Sequence, residues 1–298
     1  MRANKVRLAK SDKIFYLIND LILLIALLLV LYPLVYVISA SFSDKLAIIS
    51  GKVFLWPVNF SWEGYIAVFK DSRIMPAYGN TVFYTAVGTT INVLLTILAA
   101  YPLSRKTMVG RNLIMYLFAF TMLFHGGLIP NYLLMKSLGM IDTRWAMLLP
   151  GALAVWNMII ARTFFQSTIS QELYEAAAMD GCSHIRFLWS IVLPLSKAII
   201  AVMVLFYGVS HWNAYFNAFI YLKNKDLFPL QIVLRDILIQ SEIDPTSITD
   251  TETMTRKQGL ADLLKYSIII VASLPVWLVY PFVQKHFVKG VMIGSIKG

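Results

Sequence analysis

Long apolar runs alternate with shorter polar stretches along almost the whole chain. Six of the runs are predicted to cross a lipid bilayer as helices: residues 14–40, 80–101, 113–128, 145–160, 198–222 and 266–283. A helix needs about 20 mainly apolar residues to span a hydrocarbon core of about 30 Å. The first run is long enough to cross with some tilt. Thr85, Gly88, Thr89 and Thr90 give the second a small, hydroxyl-bearing surface, which predicts an internal span. The third run ends in Phe124-His125-Gly126-Gly127 with Pro130 close behind, which predicts a break or sharp bend, and Pro150-Gly151 interrupts the fourth. Two long polar segments, 41–79 and 223–265, separate the runs. Trp56-Pro57 and Trp62 in the first suit a membrane interface, and the second is too long for a simple turn. The pattern predicts an all-α, polytopic membrane protein with one domain over residues 1–298.

Composition agrees with a chain built for lipid. It is 58% hydrophobic and only 14% charged, against about 25% charged for a soluble domain. The net charge of +10 is spread over membrane-flanking segments with no dense basic, aromatic-interleaved patch, which argues against a nucleic-acid partner. Lys and Arg are denser in segments 1–13, 103–112, 162–197 and 284–298 than in 41–79, 129–144 and 221–265. That bias predicts both termini on the cytoplasmic side of an inner or plasma membrane, with 41–79 and 223–265 outside. The first run exceeds a signal-peptide core and is followed by no close small-x-small cleavage site, so it is expected to remain as an anchor. The lone Cys182 excludes an intrachain disulfide framework and a multi-cysteine metal site.

The most polar island between the fourth and fifth runs is residues 172–194. Glu172 and Glu175 favour a helix N-terminus, Ala176, Ala177 and Ala178 are strong helix formers, and Gly181 breaks or caps that helix. A second helical turn follows with Ile185, Leu188 and Trp189 at spacings of three and four, and Pro194 closes the segment. Two short helices with a bend at Gly181, outside the bilayer, are predicted.

Within the island, Glu175-Ala176-Ala177, three residues, Gly181, nine residues, Ile191, one residue and Leu193-Pro194 resemble, at every signature position, the EAA loop of ABC importer permeases. The resemblance implies that 172–194 is a coupling helix seated in a cytoplasmic ATPase subunit. Glu175 and Asp180 would then pair with basic residues there, Ala176, Ala177 and Gly181 would permit close docking, and Phe187, Leu188, Ile191, Leu193 and Pro194 would complete the apolar contact. The tail, with Lys289, Gly290, Gly294 and Lys297, resembles the glycine- and lysine-bearing end of carbohydrate-type permeases, which in some relatives contacts the ATPase. Phe124 to Pro130 adds to a likeness to the second permease of oligosaccharide importers, the polysaccharide-permease branch, which implies a six-span, maltose-type permease fold. The implied partners are a homologous second permease, two ATPase copies, an extracytoplasmic solute-binding protein, the lipid bilayer and a sugar cargo. Another solute, or nucleotide-independent secondary transport, stays open on the residues alone.

A second candidate site lies in the fifth run. If it is one helix, His211 and Tyr215, Trp212 and Phe216, and Asn213 and Asn217 each fall four apart. Rings that stack on sugar C–H faces beside amides that bond hydroxyls fit a substrate path, and the same residues fit interhelical hydrogen bonding with an aromatic belt. Enzymatic readings find little. His125 and His211 have no acidic partner at metal-like spacing, no glycine-rich phosphate loop with lysine is present, and no intramembrane carboxylate pair occurs. No cofactor, metal or catalytic residue is expected, and ATP hydrolysis is assigned to another chain.

Overall fold

The computed structural model describes residues 9–240 and 251–295, with side chains over 9–239 and 259–281. In chain order the helices are α1 (Lys10–Ser41), α2 (Lys45–Ile49), α3 (Glu63–Lys70), α4 (Ile74–Ser104), α5 (Arg111–Leu123), α6 (Leu128–Ser137), α7 (Trp145–Leu148), α8 (Val155–Thr168), α9 (Gln171–Met179), α10 (His184–Phe187), α11 (Leu193–Leu195), α12 (Lys197–Trp212), α13 (Phe216–Tyr221), α14 (Leu230–Gln240) and α15 (Thr251–Ser295). Among the described residues there is no strand.

Among the described residues three helices are long and apolar enough to cross a membrane: α1, α4 and the Gly259–Pro281 stretch of α15. Two bent pairs pass the same test together, α5 with α6 at 113° and His184–Leu195 with α12 at 83°, which gives up to five spans by length and composition. The 145–160 run is not one continuous helix. α7 stops at Leu148 and α8 starts at Val155, because Pro150 has no N–H to donate and Gly151 takes a φ of +71°. The third run turns where Gly127 adopts φ +83°, ψ 176°, a region open to glycine alone. Thr251 onward, read from sequence as part of an external loop, belongs to α15.

The described residues divide into two compact units, one within Met1–Asp71 and Ile237–Ala272, the other within Ser72–Asp236 and Ser273–Gly298. In the first, Ala40, Ala47, Ile48, Val53 and Leu263 form a small core. Glycines let its helices meet: a Cβ on Gly64 would collide with the Leu263 and Ser267 side chains. The Ser41 hydroxyl meets the Tyr65 hydroxyl at 2.8 Å, and Lys45 pairs with Glu63 at 2.8 Å.

In the second unit α4 is the central post, packed by α8 and α12. Val93, Ile97, Ala100, Tyr101 and Leu103 of α4 share a core with Met158, Ala161 and Phe165 of α8 and Ile199, Val202, Met203 and Tyr207 of α12. The opposite end of α4 carries the connector between α13 and α14. Asn80 donates to the Asp226 and Phe228 carbonyls at 2.6 and 3.1 Å, Tyr84 donates to Leu227 O at 2.9 Å, and Thr81 Oγ1 accepts from Leu230 N at 2.8 Å. Asp142, in the loop before α7, fastens the same connector. Its Oδ1 accepts from Lys223 N at 2.8 Å and Asn224 N at 2.7 Å, and its own N–H donates to Tyr221 O at 2.8 Å.

Candidate functional site

Local hydrogen bonding shapes residues 170–195. The Ser170 hydroxyl caps α9 by accepting from Leu173 N at 3.2 Å, with Glu172 in the first turn where the helix dipole favours a carboxylate. At the other end Cys182 N donates to Ala177 O at 2.9 Å and Gly181 N donates to Ala178 O at 3.0 Å, the paired closure of a Schellman motif. Gly181 supplies the required left-handed residue at φ +73°, a conformation that costs an L side chain about 1–2 kcal/mol. Ser183 then caps α10 through Arg186 N at 3.4 Å. After Phe187 the chain runs through a π-helical turn, Leu188–Val192, and Pro194 sits at the start of α11, before the bend at Ser196.

The two faces of this segment differ sharply. Glu175, Ala176, Asp180 and Gly181 are exposed. Ala177, Ile191 and Leu193 pack against the core beneath, as does Cys182. Phe187 was expected on the outer, docking face, and that expectation fails: it is 0% exposed, and with Leu188 it lies inside the core of α4 and α8. Its ring is enclosed by that core, by Tyr174 and by Arg105. The most exposed of its apolar groups are Met179 at 89%, Ile185 at 73%, Trp189 at 57% and Leu195 at 52% exposure. Met179 passes unremarked in sequence as the end of an alanine run.

Aromatic rings knit the segment together. Tyr174 stacks on His184 with centroids 5.4 Å apart and meets the Phe187 ring edge-on at 5.4 Å. Arg105, at the C-terminus of α4, lies 5.1 Å from the Tyr101 ring, 5.6 Å from Phe187 and 6.0 Å from Tyr174. Burial pushes its guanidinium pKa down, while the two tyrosines pull the other way. Arg162 of α8 donates from Nε to Leu103 O at 2.9 Å and so satisfies one of the orphan carbonyls at the end of α4.

The second candidate site is divided by the fold. α12 ends at Trp212, so the proposed pairs four apart do not share a helix. Asn213 is the C-cap; its side-chain amide and its backbone N–H both turn back to Val209 O, at 2.9 and 3.1 Å. Tyr215 and Phe216 stand exposed, edge to face at 6.3 Å, across the break, and Asn217 is half-buried in α13. Trp212 is buried beside the Tyr78 ring at 5.7 Å. His211 turns toward α4, its Nε2 2.9 Å from Asn92 Oδ1.

His211 thus joins a polar row that sequence inspection did not assemble. Thr81, Thr85, Thr89, Asn92 and Thr96 recur along one side of α4 at spacings of three and four, a stripe legible in the sequence. Thr96 Oγ1 and the Tyr207 hydroxyl are 2.7 Å apart. Tyr207 also accepts from Ala154 N at 3.2 Å, and Asn92 donates to Gly151 O at 3.4 Å. These bonds satisfy the backbone freed by the break between α7 and α8, which lipid could not do. Gly88 is required for the approach, since a Cβ there would sit 2.5 Å from His211 Cε1. Of the tail candidates, Lys289, Gly290 and Gly294 fall on the last turns of α15, and Lys297 lies outside the described residues.

No protein-family model matches the chain. Among characterised proteins it is 40% identical over 289 residues to Protein LplC of Bacillus subtilis (strain 168), covering 97% of each chain. To the polygalacturonan/rhamnogalacturonan transport system permease protein YtcP of the same organism it is 42% identical over 282 residues, covering 95% of this chain and 97% of the relative. The crystal structure of a bacterial ABC transporter involved in the import of the acidic polysaccharide alginate holds a chain that matches with a TM-score of 0.86 at 34% identity, over 95% of this chain and 100% of that one. Likeness of this depth, over nearly the entire length and on the same helical fold, makes the chain a member of the ABC importer permease family, a multi-pass cell-membrane transport subunit and not an enzyme.

Proposed function

We propose that the chain forms half of the translocation path of an ATP-driven, binding-protein-dependent importer whose cargo is an oligosaccharide fragment of a polysaccharide. A homologous second permease supplies the other half, two cytoplasmic ATPases drive the cycle, and a solute-binding protein delivers cargo to the outer side, where residues 41–79 and 223–258 receive it. Both termini and the segment 171–195 face the cytoplasm, in keeping with the distribution of Lys and Arg. The cargo reading draws on relatives named for polygalacturonan, rhamnogalacturonan and alginate transport.

The observation that carries the coupling role is the two-faced segment itself. One face is fixed in the core through Ala177, Phe187 and Ile191, and the other presents Glu175, Ala176, Met179 and Asp180 outward. Movement of an ATPase gripping the outer face is passed to α4 and α8, which shifts the balance between two packings of the bundle. The break at Trp212–Phe216 leaves Asn213, Tyr215 and Phe216 exposed, a polar and aromatic surface along which a hydroxylated cargo passes.

Co-purification from native membranes tests this. The intact chain should bring down an ATPase and a second permease. Glu175→Lys, and separately Gly181→Pro, should lose the ATPase while the permease pair survives, because proline cannot adopt φ +73°. If gentle extraction of the intact chain yields no ATPase, the coupling assignment is wrong and nucleotide-independent transport replaces it. Sugar binding by the co-purifying solute-binding protein then reads the cargo.

A further inference from the structure

Arg105 is a half-buried cation without a described anion. Its Nε and Nη2 are inaccessible and have no hydrogen-bond partner, and the described ion pairs, Lys45 with Glu63 and Arg235 with Asp236, do not involve it. An arginine at a helix end ordinarily extends its head into water along its apolar stem. Here it folds inward among three rings drawn from three elements: Tyr101 of α4, Tyr174 of α9 and Phe187 of α10. Ring faces carry the negative part of the aromatic quadrupole, and a planar guanidinium stacks on them with less desolvation than an ammonium. The rings therefore take the place of the missing carboxylate.

We propose that Arg105 is a positioning residue that locks α9 and α10 to the cytoplasmic end of α4, so that displacement of the coupling segment reaches the membrane helix without slack. This rests on the coupling role assigned above to residues 171–195. Core packing of Phe187 fixes where α10 lies, whereas α9 touches the bundle through few groups, chiefly Tyr174 and Ala177. Arg105 is the side chain that bridges Tyr174 to the end of α4. Losing it leaves the fold and the exposed docking face in place and loosens the register between them.

The test uses the whole complex, with both permeases, the ATPases and the binding protein, reconstituted in proteoliposomes. Four forms are compared with the unaltered complex: Arg105→Met, Tyr174→Leu, Tyr174→Phe and the double variant Arg105→Met/Tyr174→Leu. ATPase retention, ATP turnover and cargo moved per ATP are read in each. With Arg105→Met and with Tyr174→Leu the ATPases should stay bound and hydrolyse ATP, while cargo per ATP falls roughly tenfold, between the scales of an exposed and a fully desolvated cation–π contact. Tyr174→Phe keeps the ring against Arg105 and gives up only the long hydroxyl contact to His184 at 3.3 Å, so it should stay close to the unaltered complex. The double variant should fall short of the product of the two single effects, since both changes remove the shared Arg105–Tyr174 contact. An unchanged cargo-to-ATP ratio in Arg105→Met overturns the proposal, as do effects that multiply in the double variant or loss of the ATPases from Arg105→Met. If Arg105→Met does not fold, Arg105→Gln, which keeps the stem and removes the charge, decides in its place. Absence of an ATPase from the unaltered complex would instead strike the coupling assignment, and is seen before any variant is made.

Discussion

The coupling segment and the membrane-depth junction of α4, α8 and α12 solve one problem, an interrupted helix, by opposite means. In the coupling segment the freed backbone groups are met from a few residues away: Ser170 for Leu173, Ala177 and Ala178 for Cys182 and Gly181, Ser183 for Arg186. At the junction the partners are remote in sequence, with Asn92 serving Gly151 and Tyr207 serving Ala154. Their glycines differ too. Gly181 is needed for its left-handed backbone and has open space around it, whereas Gly88 is needed for lack of a side chain against His211. A locally closed element can move as a rigid body. A junction closed over long range must change partners when its helices shift.

The strongest way to break that comparison is to cut the coupling segment from its core. Phe187→Ala should cost about 3–5 kcal/mol, the range for emptying a buried aromatic site. Thermal unfolding in detergent should register the loss together with that of ATPase co-purification; an unshifted transition would mean that the segment is not held through Phe187. A smaller effect sharpens the other side. Tyr207→Phe removes the hydroxyl shared by Thr96 and Ala154, and should cost about 1 kcal/mol, membrane hydrogen bonds being weak on average. Hydrogen exchange should then quicken at Ala154 and leave Cys182 unchanged, and equal quickening at both would erase the distinction between local and remote closure.

Asp142 gives the smallest and most pH-dependent effect. The backbone N–H groups of Asn224 and Lys223 hold its carboxyl below the usual value of 3.8. A depressed carboxylate stabilises the fold at pH above its unfolded value, and that contribution is lost as pH falls through the folded one. The melting-temperature advantage of the natural chain over Asp142→Ala should therefore shrink on acidification below the ordinary carboxylate range. Asp142→Asn should fall between the two, because asparagine tolerates φ +60° and keeps an acceptor. An advantage that stays constant down to acid pH would remove the carboxylate from the account of the connector.

What was legible in the sequence follows from the same division. Local chemistry is written in adjacent letters, so the two short helices, the Gly181 bend and the break at Gly126-Gly127 could be read directly. The end of α12 at Trp212 could not, because Asn213-Ala214-Tyr215 carries neither proline nor glycine and the apolar run continues through Tyr221. The pairing of His211 with Tyr215 assumed a helix that the Asn213 amide closes by folding onto Val209. Phe187 was misplaced for another reason. Apolar spacing says that a face is covered and not by which molecule. Pro150-Gly151 was visible, but nothing near it in sequence names Asn92 and Tyr207 as the groups that make the interruption tolerable at membrane depth.

The bends between α5 and α6 and at Ser196 bear on how the protein meets bilayers of different thickness. An unbroken helix such as α4 answers a thinner membrane chiefly by tilting, because a sharp bend would stretch successive backbone bonds together. At Gly126–Gly127 and Ser196 that ladder is already interrupted, so the angle of each bend can change while the backbone bonds on either side stay whole. Lipid thickness then acts on joint angles there and on tilt in α4, and a change of host membrane would alter the starting pose of the bundle before any nucleotide is bound.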